Sequence, residues 1–330
     1  MVRLAWNENP FGPAATAKSA MAEAVLGSCR YAFGQEKQLL EVIAAKERCR
    51  VEQIVLGSGS GEILDIAGLH FGLEKGEVVV ADPAYMQLVS AAEKAGGKAV
   101  KVPLNARLEH DLSAMAAAVN SRTSVVYVVN PNNPTGTVVE AGALKDFVKS
   151  VSRRVPVFID EAYLDCADDY AARTCAPLVA EGFNVVVART FSKIYGMAGM
   201  RLGYAIMPEA LAKSLRPRMT GSLSLPTYAG AFASLNDPDY VPMTRAKIKA
   251  GRDALIAELR SLGKRYAEPQ GNFVFFETGM PAQEFQAKMR GEGVSVGRPF
   301  PPLLNWARVT IGLPEEMAAC HRALRAVLAT

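Results

Sequence analysis

From about residue 50 to residue 208 the chain alternates short apolar runs with longer stretches whose apolar positions recur at helical spacing. That alternation is the pattern of parallel strands joined by crossover helices. The runs cover 53–56, 77–81, 99–103, 124–130, 156–160, 184–189 and 202–207. Segments such as Val125-Val126-Tyr127-Val128-Val129 are apolar on both faces, as in a strand buried between two helical layers. The pattern therefore predicts an α/β large domain over 49–208, built on a mostly parallel seven-stranded sheet between helices.

Beyond residue 209 the rhythm changes. A helix is predicted over 243–262, with Ile248, Leu255, Leu259 and Leu262 on one face and Gly263 as its stop. Strand-like 272–277, a helix over 281–291 and an alternating strand over 307–311 follow; Pro314, with Glu315 and Glu316 in the first turn, opens a final helix. These pieces predict a smaller α+β domain over 209–330. Residues 1–48 hold a loop and two helical patterns and are expected to pack with that small domain.

Composition narrows the function class. The 330 residues are half apolar and 21% charged, which excludes disordered, collagen-like and coiled-coil chains and suffices for one large domain plus a small one. A net charge of +4 is far from the basic stripe of a nucleic-acid binder. The five cysteines form no C-x-x-C pair and the three histidines are scattered, so neither a zinc site nor a histidine-based triad is expected. No apolar run approaches the ~18 residues of a membrane span, and the N-terminus lacks a signal-peptide core. The expectation is a cytoplasmic protein with no membrane partner; the abrupt start at the motif Trp6 to Pro13 leaves export of a longer precursor open.

In a doubly wound sheet, ligands bind beyond the carboxyl ends of the strands, and four of those ends carry unusual chemistry. Gly57-Ser58-Gly59-Ser60-Gly61 precedes a helical pattern and offers backbone N–H groups and a helix N-terminus to an anion, although a Gly-Ser linker would read the same way. Asn130-Pro131-Asn132-Asn133-Pro134-Thr135-Gly136 is more rigid and more polar than a plain turn needs. Asp160, Glu161 and Tyr163 end the apolar strand Val157-Phe158-Ile159, where an unpaired carboxylate is costly. Arg189-Thr190-Phe191-Ser192-Lys193 ends the next strand, with Arg201 eight residues beyond the lysine. An anion cradle, aimed amides, a carboxylate and an amine in one crevice suit pyridoxal phosphate, which carries a phosphate, a basic ring nitrogen and an aldehyde.

With Asn7-Glu8-Asn9-Pro10-Phe11-Gly12-Pro13, Arg30-Tyr31, Asp82-Pro83-Ala84-Tyr85, the segment Tyr195 to Tyr204, Gly271-Asn272-Phe273 and Arg308-Val309-Thr310-Ile311-Gly312 added, the chain resembles the class I/II aminotransferases of fold type I over nearly its whole length, and within them the histidinol-phosphate aminotransferase subgroup. The resemblance implies that Lys193 is the Schiff-base lysine and proton carrier, that Asp160 pairs with the pyridinium nitrogen, and that Asn133 and Tyr163 hydrogen-bond the phenolic oxygen. By the same resemblance Tyr85 stacks on the ring, while Gly59, Ser60, Gly61, Thr190, Ser192 and Arg201 hold the phosphate. Tyr31 reaches the phosphate of the neighbouring subunit, which implies a homodimer with shared active sites.

For the substrate, the resemblance points to Asn7, to Arg308 as the carboxylate clamp and to Arg298 as the reader of a distal phosphate or carboxylate. The partners it implies are an amino donor and a 2-oxo acid acceptor in a ping-pong transamination. Phe11 stands where the subgroup often has Tyr, Ser60-Gly61 replaces its usual Ala-Asp, and the segment before Asn7 is short, so the donor is left open. Two alternatives stand beside it: a decarboxylase of the same fold, of the threonine-phosphate type, and a non-catalytic pyridoxal-phosphate-binding protein.

Overall fold

All seven apolar runs between residues 53 and 207 join one sheet in the computed structural model, which describes residues 1–328. In chain order the strands are β1 (Val2–Leu4), β2 (Ile54–Gly57), β3 (Glu77–Asp82), β4 (Lys98–Pro103), β5 (Thr123–Val129), β6 (Val157–Asp160), β7 (Val185–Thr190), β8 (Gly203–Ile206), β9 (Phe273–Glu277), β10 (Val294–Val296) and β11 (Trp306–Thr310). The large sheet has the order β2-β8-β7-β6-β5-β3-β4. Only β8 runs antiparallel to its neighbours β2 and β7; the other pairings are parallel.

Strand alternation splits the core in two. Val79, Ala81, Val126, Val128, Val157, Ile159, Val185 and Val187 face one helical layer, and Val78, Val80, Val125, Tyr127, Phe158, Val186 and Ala188 face the other. Both sets are fully buried, which accounts for the continuous apolar runs of a sheet covered twice. Burying a side chain of this size is worth about 1.5–3 kcal/mol.

The C-terminal part builds a second core on the antiparallel pair β9 and β11 and the parallel pair β1 and β10. The helices Tyr240–Ser261, Ala282–Gly291 and Pro314–Leu328 cover it. The three-residue strands β1 and β10 are too short to leave a periodic signal, and they pair across almost the whole chain, Val2 opposite Val294. The first 48 residues are divided: Leu4 enters the small core, whereas Leu39, Leu40, Ile43 and Ala44 of the helix Gln35–Glu47 pack under the large sheet. No helix among the described residues is long and apolar enough to cross a membrane.

Candidate active site

A cavity of about 840 Å³ opens where the carboxyl ends of β2, β5, β6 and β7 face the C-terminal part of the chain. Its floor begins with the loop after β2. Gly59 takes a positive φ of 82° and precedes the helix Ser60–Gly72, so the first backbone N–H groups of that helix point outward. Two glycines make the approach possible. A Cβ on Gly59 would lie 2.2 Å from Nη2 of Arg201, and one on Gly203 would lie 2.3 Å from the Ser60 nitrogen. Arg201 is itself left-handed, with φ 55°, and donates to the carbonyls of Ala198 (2.9 Å) and Ser58 (3.4 Å) and to Ser192 Oγ (3.5 Å). Helix N-terminus, hydroxyls and guanidinium therefore converge as an anion site.

The Glu62 carboxylate fixes this floor. It accepts the N–H of Ser58 (2.7 Å), Thr220 (2.8 Å) and Gly221 (2.6 Å), and although burial acts in the opposite direction, these bonds hold its pKa below the usual range. One carboxylate thus ties the cradle loop to the loop at 219–221.

Asp160 ends β6 with only 2% of its surface exposed. It accepts from the Ala162 N–H (3.0 Å) and the Tyr127 hydroxyl (3.3 Å), and among the described residues no cation lies within ion-pair distance of it. Burial raises its pKa from 3.8 to about 6, against the smaller lowering effects of those hydrogen bonds and of the Lys193 charge. Lys193, just past β7, is partly buried; its Nζ donates to the Trp6 carbonyl (3.4 Å) and stands 5.4 Å from the centre of the Tyr163 ring. Desolvation, then repulsion from Arg308, pushes its pKa down to about 8.

Around the lysine the side chains form one network. The Tyr163 hydroxyl accepts from Asn7 (3.1 Å) and from Asn133 (3.4 Å), while Asn133 Oδ1 accepts from Arg308. Asn7, with φ 55°, donates its backbone N–H to Thr310 Oγ1 (2.9 Å), and Asn272 donates to its carbonyl (3.1 Å). Arg308 of β11 is buried among Phe273 and Phe300, donates to the Ala5 carbonyl (2.7 Å) and keeps an unused Nε. Burial, with repulsion from Arg298 among the smaller effects, lowers its pKa to about 10. Arg298 lies 4.7 Å from the centre of the Phe300 ring and Arg308 lies 4.9 Å from it, and among the described residues neither guanidinium has a carboxylate within 4.0 Å.

Of the residues singled out in the sequence, Ser60, Gly61, Tyr85, Asn133, Asp160, Tyr163, Thr190, Ser192, Lys193, Arg201, Asn7, Arg298 and Arg308 line this one cavity. Gly59 lies beneath Arg201 rather than on the wall, and Tyr31, 86% exposed, stands outside the cavity of its own chain. Glu62, Gln87, Arg290 and Phe300, not among the candidates from the sequence, also line it. Arg298-Pro299-Phe300 offered a signal for the last, an aromatic beside a candidate cation; Gln87 and Arg290 sit inside ordinary amphipathic helices and offered none.

The site fits pyridoxal phosphate. Asp160 is a buried carboxylate without a cation, as a protonated ring nitrogen requires, and the cradle and Lys193 face the same space. Residues 1–326 match the family model for aminotransferase class I and II. The chain is 38% identical to the histidinol-phosphate aminotransferase of Moorella thermoacetica, over all of this chain and 86% of the relative, and 38% identical to histidinol-phosphate aminotransferase 2 of Pseudomonas fluorescens, over all of this chain and 89% of that relative. Among solved structures, the histidinol-phosphate aminotransferase of Sinorhizobium meliloti in complex with pyridoxal-5'-phosphate superposes with a TM-score of 0.87 at 26% identity, over 99% of this chain and 90% of that one. The chain belongs to the aminotransferase class I and II family, with the fold type I architecture, and is a pyridoxal-phosphate-dependent transaminase.

Proposed function

We propose that the enzyme moves the amino group of a phosphorylated donor of the histidinol-phosphate type to a 2-oxo acid, the donor's amine becoming a carbonyl and the acceptor's carbonyl an amine. The observation that carries the donor class is the pair Arg298 and Arg308, which flank Phe300 in the cavity without a carboxylate partner among the described residues. Two uncompensated guanidiniums at one wall favour a donor with a distal anion. The likeness to relatives named for histidinol phosphate supports the same class.

When bound, pyridoxal phosphate supplies an aldehyde that takes up the amino group and a ring that accepts electrons from the donor's α-carbon. Ser60, Gly61, Thr190, Ser192 and Arg201 would hold the phosphate, with Gly59 giving Arg201 room. Asp160 would keep the ring nitrogen protonated, Tyr85 would cover the ring, and Asn133 and Tyr163 would fix its phenolic oxygen. Lys193 would hold the aldehyde carbon and, in its free form, carry the proton from the donor's α-carbon, a role that its lowered pKa in the cofactor-free chain favours. Arg308, which donates to the same Asn133 that donates to Tyr163, would clamp the acceptor's carboxylate, and Arg298 would read the distal phosphate.

The working unit is a homodimer in which Tyr31 of each subunit completes the neighbouring phosphate site, a reading supported by the exposed cluster of Val25, Leu26, Tyr31 and Phe33. The cofactor-holding residues would belong to a large unit over 49–208 and the carboxylate clamp to a small unit over 209–330, with residues 1–48 shared between their cores, and five free cysteines favour a reducing cytoplasm.

The test is a donor panel of histidinol phosphate, aromatic and acidic amino acids with wild type and Arg298→Gln. The variant is expected to lose about tenfold or more in kcat/KM for the phosphorylated donor relative to an aromatic one. An unchanged ratio would reject the role of Arg298, and carbon dioxide release without a carbonyl product would assign a decarboxylase instead.

A further inference from the structure

We propose that Gln87 is a positioning residue that locks the Tyr85 ring to the first turn of the cradle helix, and so sets how tightly the cofactor is held. The inference rests on the reading that pyridoxal phosphate lies against Tyr85.

Both N–H donors of the Gln87 carboxamide are used, and its oxygen accepts one bond. Its Nε2 donates to the Gly61 carbonyl (3.1 Å) and to Asp65 Oδ2 (2.9 Å), and its Oε1 accepts from the Tyr85 hydroxyl (2.7 Å). The orientation of the amide is forced, because a backbone carbonyl and a carboxylate oxygen can only accept. The Tyr85 hydroxyl remains a donor throughout neutral pH, with its pKa raised to about 12, chiefly by burial. Gly61 makes the bridge possible: a Cβ there would lie 3.0 Å from Nε2 and 3.3 Å from Oε1 of Gln87. A side chain at position 61 would therefore compete for the space that the carboxamide fills.

The bridge has a clear task. Tyr85 is 39% exposed, so packing alone leaves its ring free to leave the cavity wall. Gln87 opens its own helix, Gln87–Lys94, and its side chain spans to the helix Ser60–Gly72, whose N-terminus forms the anion site. Ring cover and phosphate cradle are thereby one connected unit. A ring that is already in place costs less order when the cofactor binds.

The experiment is a double-mutant cycle of Gln87→Ala and Tyr85→Phe in the full-length chain, read by the dissociation constant for pyridoxal phosphate, the visible circular dichroism of the bound cofactor and the melting temperature of the cofactor-free protein. Gln87→Met, of similar volume, is measured alongside to separate lost hydrogen bonds from lost packing. Each Gln87 variant is expected to weaken binding about three- to tenfold and to change the dichroism, with the cofactor-free melting temperature unmoved. Tyr85→Phe is expected to do the same, and Gln87→Ala to add nothing in that background. Unchanged affinity in both Gln87 variants, or an undiminished effect of Gln87→Ala without the Tyr85 hydroxyl, would overturn the proposal. Failure of the wild-type chain to take up pyridoxal phosphate would overturn the functional reading first and this inference with it.

Discussion

Asp160 and Glu161 are consecutive carboxylates at the end of β6, both buried and both with a pKa raised by that burial, to about 6 and about 7, yet only Glu161 has a cation beside it among the described residues. Glu161 turns to the side of Val157 and Ile159, where Arg189 Nη2 lies 2.9 Å away and Thr174 Oγ1 (3.0 Å) and the Cys175 N–H (2.7 Å) complete its hydrogen bonds. Arg189 is also 3.8 Å from Glu47 and 3.9 Å from Asp165, and donates to the Tyr170 hydroxyl (2.7 Å). Asp160, facing the cavity, receives two neutral donors and, among the described residues, no ion-paired cation. Glu161 is paired within the fold, whereas Asp160 faces the cavity with no paired cation among the described residues. A strand end thus reveals its function by which of its buried charges the protein leaves uncompensated.

The comparison breaks or holds under substitution. Asp160→Asn is expected to lower kcat/KM by about 10²–10⁴-fold while leaving the folded chain intact, because only the ligand loses its counter-charge. A steady-state assay beside a urea melt measures both; activity within about threefold of wild type would put Asp160 in the structural class with its neighbour.

Arg189→Met should do the reverse. Removing the cation strands Glu161, Glu47 and Asp165 together, at a cost of about 3–5 kcal/mol in unfolding free energy. Molecules that remain folded should keep near-normal KM. A change of less than about 1 kcal/mol would mean that the network contributes little to the fold.

The smallest effect sharpens the contrast through pH. Burial raises the Asp160 pKa from 3.8 to about 6, so within that window the native chain holds a proton that the unfolded chain has lost. Stability of the cofactor-free protein therefore falls as pH rises through the window, by about 1–3 kcal/mol from this one group, and the loss is complete above the folded pKa. Melting temperatures of wild type and Asp160→Asn should converge near pH 4 and separate by pH 7, with the variant higher. Saturating pyridoxal phosphate should remove the fall in wild type; parallel pH profiles without cofactor would refute the assignment.

Much of this was legible in the residues. Apolar runs located every strand of the large sheet, and the polar clusters after those runs marked the cradle, the Asn133 turn, Asp160 and Lys193. β1 and β10 were not legible, since three residues carry no period and their partners lie some 290 positions apart. Gln87 and Glu62 were hidden for a different reason: their defining neighbours, Gly61 and Asp65 for the first and the 220–221 loop for the second, come from other segments. Phe300 was marked by the nearby Arg298, but the second guanidinium beside it, Arg308, comes from β11.

The α/β architecture, the family resemblance and the chemical kinds of the groups at each strand end could be read from the residues, because periodicity and strand-end composition are local properties of the chain. Which of two adjacent carboxylates is paired with Arg189 and which stands open to the cavity depends on the folded chain. Strand alternation sends them to opposite faces, but the charge each one meets there comes from distant segments whose positions are set by packing alone.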